Sequence, residues 1–199
     1  ITGVTVSGGW RERIQLYIAA KPHMKAALIP VPTQYLQSDV DYIGTLLQQY
    51  GVTPHIIRIH DGPELLSVIN HLSTTIDSLI CLQDALTPTL TPQIGALCTL
   101  KKITYFSPYP ADVKSGAAVA VTNVDTKIGW HTAQKVLSIL EEYKPVHEVG
   151  VTHIGPNVSY EAHFNQTAMR AQGLDPSILT ALSLQYNATV HITERGRPS

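Results

Sequence analysis

Charge is scarce in this sequence. Only 15% of the 199 residues are charged, 14 Lys and Arg against 15 Asp and Glu, and the formal net charge is -1. So even a balance gives no long-range field, which excludes the basic footprint of a nucleic-acid binder and attraction to acidic membrane surfaces. Long apolar runs are also missing: nothing approaches the roughly 18 residues that a membrane-spanning helix requires. Cysteine is limited to Cys81 and Cys98, which form no metal spacing. They can bond only if their Cα atoms come within about 7 Å, and otherwise read as buried structural thiols.

Recognisable catalytic devices are absent as well. Gly8-Gly9 precedes a helical pattern but lacks the spacing and the upstream strand of a dinucleotide fingerprint. No serine sits on a nucleophile elbow. Nine histidines, at 23, 55, 60, 71, 131, 147, 153, 163 and 191, form neither an i, i+4 pair nor a close cluster, so no metal site is expected. No catalytic residue and no cofactor are expected either. The chain opens at Ile1 without a methionine, a charged n-region or an apolar h-region, and so reads as mature, trimmed or a fragment. There is no repeat at a solenoid period and no low-complexity tract.

What is present is a run of buried strands. Ser78–Leu82 is short and nearly unbroken in its apolar character, bounded by Asp77 before it and by Gln83-Asp84 after it, as in a strand covered on both faces. Ala26–Ile29, His55–Ile59 and Ile103–Phe106 read the same way, and Ala117–Val121 gives one more. Helical patterns separate them: Trp10–Lys21 with Ile14, Tyr17 and Ile18 on one stripe, a helix capped by Ser38, one opened by Asp61-Gly-Pro63, one over Pro92–Leu100 capped by Thr91, and Asp125–Tyr143 with Ile128, Ala133, Val136, Leu137 and Leu140 inward. This alternation predicts an α/β fold, a doubly wound and mostly parallel sheet flanked by helices, with the flavodoxin-like strand order 2-1-3-4-5. Beyond Pro145 the pattern weakens to a short strand near Val149–His153 and two helices, and the last ten residues read as frayed. Ile1–Ser7 alternates like an edge strand.

In such a sheet ligands sit outside the carboxyl ends of the strands where the winding reverses, here between the loops Pro30–Ser38 and Leu82–Thr91. Gln83 and Asp84 stand at that rim. Ser38 is either a cap or a ligand contact, Asp84 either a solvated loop residue or a partner for an ammonium group, and Asp125 by default faces the positive end of its own helix. Tyr105 and Tyr109 either pack or provide a stacking surface. The phospho-accepting aspartate of a response-regulator receiver domain also ends a third strand, as Asp84 does, but Pro30-Val-Pro stands where such a domain needs an acidic pair, which speaks against that reading. Asn157, Asn165 and Asn187 each open an Asn-x-Ser/Thr triplet, which matters only in a secreted eukaryotic protein.

Several segments in order resemble the ABC-transporter substrate-binding proteins of the aromatic and hydrophobic amino-acid type. They are Ile1-Thr-Gly-Val-Thr5, the glutamine-bearing helix, His23-Met-Lys-Ala-Ala-Leu-Ile29, Ser38 before a helix, and Ile76-Asp-Ser-Leu-Ile-Cys-Leu-Gln-Asp84. Ala117–Val121 running into Asn123-Val-Asp125 with Gly129, and Phe164–Leu179, complete the set. The resemblance implies a type I periplasmic-binding-protein fold, two α/β lobes closing on a small solute by a hinge, at a periplasmic or extracellular, membrane-associated location. It implies residues 1–122 as a ligand-binding lobe and 123–199 as a long helix and C-terminal segment returning toward the other lobe. The implied partners are a small-molecule solute, with an amino acid as candidate, and an ABC permease. Carried over by position, Ser38, Asp84 and Asp125 face the solute. The family's first lobe has no counterpart here, and Pro30-Val-Pro-Thr-Gln-Tyr35 replaces small polar residues. Two rivals stand beside this reading: a metabolite-sensing module of the same fold that signals through a partner, and an enzyme of flavodoxin-like fold. With one lobe missing, an open apolar face is expected at Tyr105, Tyr109, Trp130 and the Pro30–Tyr35 loop, and self-association through it.

Overall fold

The structure, a computed structural model, describes residues 2–6, 9–154, 160–185 and 189–193. The elements in chain order are β1 (Gly3–Val6), α1 (Trp10–Ala20), β2 (Ala26–Pro32), α2 (Gln37–Gln49), β3 (Thr53–Ile59), α3 (Gly62–Asn70), β4 (Ser78–Ile80), α4 (Thr87–Lys101), β5 (Thr104–Ser107), α5 (Pro110–Ser115) and β6 (Val119–Asn123). They continue as α6 (Asp125–Leu140), α7 (Val146–Val149), β7 (Val151–Ile154), β8 (Tyr160–Asn165), α8 (Gln166–Ala171), α9 (Ile178–Gln185) and β9 (Thr189–Thr193).

The main sheet runs β3-β2-β4-β5-β6-β8-β9. Its first five strands are all parallel, in the winding order expected from the strand–helix alternation. β4 lies between β2 and β5, and Ser78 through Leu82 are all fully buried. Successive side chains of a strand point to opposite faces, and the core divides accordingly. Ile29, Val31, Ile80, Leu82 and Phe106 pack with α1 and α2 on one side. Leu28, Leu79, Cys81 and Tyr105 pack with α3 and α4 on the other. Each such aliphatic side chain withdrawn from water contributes about 1.5–3 kcal/mol. Cys81 and Cys98 are free and buried, and burial pushes the Cys98 thiol up to about 12, so both serve as apolar filler.

Four elements differ from the sequence reading. α4 begins at Thr87 and carries Pro92 inside it, because the Asp84 carboxylate accepts from the Leu86 and Thr87 amides and so caps the helix about two turns earlier than Thr91 would. α2 begins at Gln37, with Leu36 at the cap position, so Ser38 lies in the first turn instead of capping it. α6 buries none of its residues: Val136, Leu137 and Leu140 are 47%, 40% and 66% exposed. The chain end is not wholly frayed, since 189–193 forms the edge strand β9, parallel to β8, which itself runs antiparallel to β6. Residues 194–199, Asn157 and Asn187 lie outside the described residues. Asn165, the remaining glycosylation candidate, is 3% exposed and caps α8 by accepting from the Ala168 amide at 2.9 Å.

The segment after residue 122 therefore divides. β8 and β9 complete the main sheet, whereas β7 leaves it to pair in parallel with β1 in a separate two-stranded sheet. α6 packs beside that pair, and Lys135 Nζ donates to the carbonyls of Val149 and Gly150. Among the described residues no helix is long and apolar enough to cross a membrane.

Candidate functional site

α1 precedes β2 and runs antiparallel to it, so its first turn returns to the carboxyl end of the sheet. Trp10, Arg13, Ile14 and Tyr17 follow the i, i+3, i+4, i+7 spacing of a core-facing stripe, and all four are buried. One of them carries a permanent charge. Arg13 is 1% exposed, and among the described residues its Nε and Nη2 have no hydrogen-bond partner. Nη1 reaches Gln83 Oε1 only at 3.5 Å, and the guanidinium carbon stands 5.2 Å from the Trp10 ring centre.

The loop after β2 supplies the second wall. Arg58 of β3 donates from Nη1 to the Tyr35 carbonyl at 3.0 Å and from Nη2 to Gln37 Oε1 at 2.7 Å. That clamp presents the Tyr35 hydroxyl to the Gln83 carbonyl at 2.8 Å. After β5 the Ser107 hydroxyl donates to Asp112 at 2.5 Å and accepts from the Tyr109 amide at 3.0 Å. The Tyr109 hydroxyl then donates to the Asp84 carbonyl at 2.7 Å. Two tyrosines thus hold the Gln83-Asp84 backbone from both sides, with Arg13 behind it. Burial raises both phenols, Tyr35 to about 12, so they remain donors at neutral pH.

The sequence-predicted residues fare unequally at this rim. Gln83 is exposed, at the end of the strand, and in reach of Arg13. Asp84 is 9% exposed, and its carboxylate is consumed within the chain. Oδ1 accepts from the amides of Leu86 and Thr87 at 2.6 Å each, and Oδ2 from the Thr87 hydroxyl at 2.5 Å. Tyr105 is wholly buried, its hydroxyl 3.4 Å from Asp112 Oδ2 and 3.5 Å from Thr91 Oγ1, so it has no surface for a solute and joins no open face. Pro30, Val31 and Pro32 are likewise buried, while Trp130 is 59% exposed as expected. Ser38 and Asp125 are exposed in the first turns of α2 and α6, and among the described residues no hydrogen bond joins either to Gln83 or Asp84. Arg13 escaped the sequence reading although its signal was there, a cation inside an otherwise apolar stripe.

The histidines are less scattered than their numbering suggests. His163 of β8 and His191 of β9 stack at 4.3 Å, with Glu161 beside them, which corrects the expectation of no cluster.

No protein-family model and no curated protein matches the chain. Solved structures do. A conserved domain protein from Vibrio cholerae superposes with a TM-score of 0.75 at 17% identity, over 96% of this chain and 62% of that one. An ABC domain from Streptococcus pneumonia in complex with L-Trp gives 0.73 at 15%, over 96% and 64%. A substrate binding protein with adhesive properties from Clostridium difficile, in its ligand-free open structure, gives 0.72 at 20%, over 96% and 62%. The chain shares the fold of these structures, an α/β lobe built on a mostly parallel sheet, and spans less than two thirds of their length.

Proposed function

We propose that this chain is the ligand-binding part of a solute-binding protein, without chemistry of its own, which takes a small carboxylate solute at the carboxyl ends of β2 and β4. An amino acid is the first candidate, and an extracytoplasmic protein that hands its solute to an ABC permease is the matching physiology. The observation that carries the reading is the Arg13 guanidinium, 1% exposed with two donors open among the described residues. A desolvated cation without a partner is costly, and a carboxylate offers two oxygens in the planar geometry that a guanidinium fork matches. Gln83 adds a neutral polar group beside it, and the half-buried Tyr35 and Tyr109 offer aromatic edges for an apolar side chain. The fold shared with substrate-binding proteins, one of them holding L-Trp, supports the same class of ligand.

On this reading β1, α6 and β7 belong to a second lobe. The rest of that lobe would cover the exposed Trp130, Leu137 and Leu140 and close over the rim.

Thermal shift against a panel of L-amino acids and simple carboxylates, each beside its primary amide, tests the proposal. The acid should raise the unfolding temperature and its amide should not. Equal stabilisation by acid and amide, or stabilisation by uncharged solutes alone, would overturn it.

A further inference from the structure

One face of the sheet at β8 and β9 carries an arrangement separate from the rim. Residues two apart on a strand share a face. Glu161 and His163 therefore point one way while Ala162 and Phe164, each 1% exposed, point into the core. The parallel register sets His191 directly opposite His163. The two imidazoles stack at 4.3 Å with 10° between their planes. One donor atom from each of Glu161, His163 and His191 lies within 4.8 Å of the other two.

Packing alone leaves one feature of this group unexplained. His163 Nε2 is shut from solvent and has no hydrogen-bond partner among the described residues; the Glu161 carboxylate stands 3.5 Å away, beyond ordinary hydrogen-bond length, and pairs with it only when the imidazole is charged. We propose that Glu161, His163 and His191 form a three-ligand site for a first-row divalent cation, Zn²⁺ foremost. Two imidazoles and a carboxylate are a donor set that zinc and its neighbours take and that Mg²⁺ and Ca²⁺, which prefer oxygen, do not. Ligand bonds of about 2.0–2.2 Å require the side chains to close by rotation, which exposed His191 and half-buried Glu161 have room to do. The backbone beneath does not need to move, because β8 is laddered on both sides. Solvent at His191 leaves a coordination position for water or a fourth donor. Lys114 on α5, which packs against β8, is the opposing charge near His163; it is exposed and can swing away, at some cost in affinity.

Cobalt reports such a site directly, since Co²⁺ in tetrahedral nitrogen and oxygen coordination absorbs strongly in the visible and the hydrated ion does not. The untagged 199-residue chain is titrated with Co²⁺ and then with Zn²⁺ as competitor; the buried thiols of Cys81 and Cys98 are out of reach. An intense visible band that saturates at one equivalent and is bleached by zinc is expected. Glu161→Gln and His191→Ala should each weaken binding at least about tenfold, the loss that even an outer partner of a metal ligand causes. Lys114→Gln should tighten it. His60→Ala, which breaks the exposed His60–Glu64 pair at 3.1 Å, should leave it unchanged. His191 and Glu161 lie outside the core, so both variants should keep the wild-type circular dichroism. Should His163→Ala fail to fold, the other two still decide the matter. A weak spectrum of the hydrated ion, or affinity unchanged in both Glu161→Gln and His191→Ala, overturns the site.

Discussion

Asp84→Ala separates two roles that one aspartate at a rim can have. A solute ligand is dispensable for folding, whereas a cap is not. Here the carboxylate accepts two amides at 2.6 Å and one hydroxyl at 2.5 Å, and Thr87, which donates two of these, is 2% exposed. Removing a helix cap costs about 0.5–2 kcal/mol. Leaving a buried donor without an acceptor costs about 1–3 kcal/mol more. The loss should total roughly 2–4 kcal/mol, or about 5–15 °C in a chain of this size. Asp84→Asn keeps one acceptor oxygen for the two amides and should recover much of that. Thr87→Val removes the hydroxyl, and its double-mutant cycle with Asp84→Ala should show coupling of about 0.5–3 kcal/mol. Chemical denaturation of the five proteins, wild type included, measures these differences. Wild-type stability in Asp84→Ala, together with a large fall in solute affinity, would refute the capping role and restore Asp84 as a ligand.

Other consequences follow from the same packing. Gln172, 1% exposed, accepts from the Tyr105 amide and donates to the Gly116 carbonyl at 2.9 Å each; Gln172→Ala should cost about 2–4 kcal/mol in denaturant melts by stranding both. In Gly95→Ala the new methyl would stand 2.8 Å from the Gly116 Cα, forcing α4 off the α5–β6 turn at about 1–3 kcal/mol, again read by denaturation. Burial raises the phenols of Tyr17, Tyr35, Tyr105, Tyr109 and Tyr160, with Tyr35 and Tyr160 near 12. Folding then favours the protonated phenol, so this stability is complete below the unfolded value near 10 and is lost as pH rises toward 12. Phenolate absorbance should lag behind that of the denatured chain until alkaline unfolding releases it; superimposable native and denatured titrations would contradict this.

Much of the fold was legible because buried parallel strands leave a local record. Ser78–Leu82 and its neighbours announce themselves by unbroken apolar runs, and their winding follows from the intervening helices. β8 and β9 left no such record, since Tyr160-Glu-Ala-His-Phe-Asn165 alternates with polar residues and sits at the less covered end of the sheet. The inward face assigned to α6 was misplaced because an apolar stripe reports a need for cover, not that the chain itself provides it. At the rim, the exposed position of Gln83 just past β4 was legible from where the apolar run ends. Asp84 was ambiguous, since an aspartate three residues before Thr87 reads equally as cap or ligand until the amides are located. Tyr105, open in the sequence between packing and a stacking surface, proves to be packing, because a strand covered on both faces gives no sign of which aromatic remains accessible. Arg13 was the opposite case: its position on the stripe of Trp10, Ile14 and Tyr17 was visible in the spacing alone.

Arg13→Met is the most direct test of solute recognition, because stability and binding should move in opposite directions. Methionine fills similar space without a charge to desolvate, so the ligand-free chain should be as stable as wild type or more so. A charge-assisted hydrogen bond is worth about 1.5–3 kcal/mol, so calorimetric titration with the best-stabilising carboxylate should show a loss of about tenfold to a hundredfold. Undiminished affinity in a folded Arg13→Met chain would contradict a carboxylate receptor built on that guanidinium.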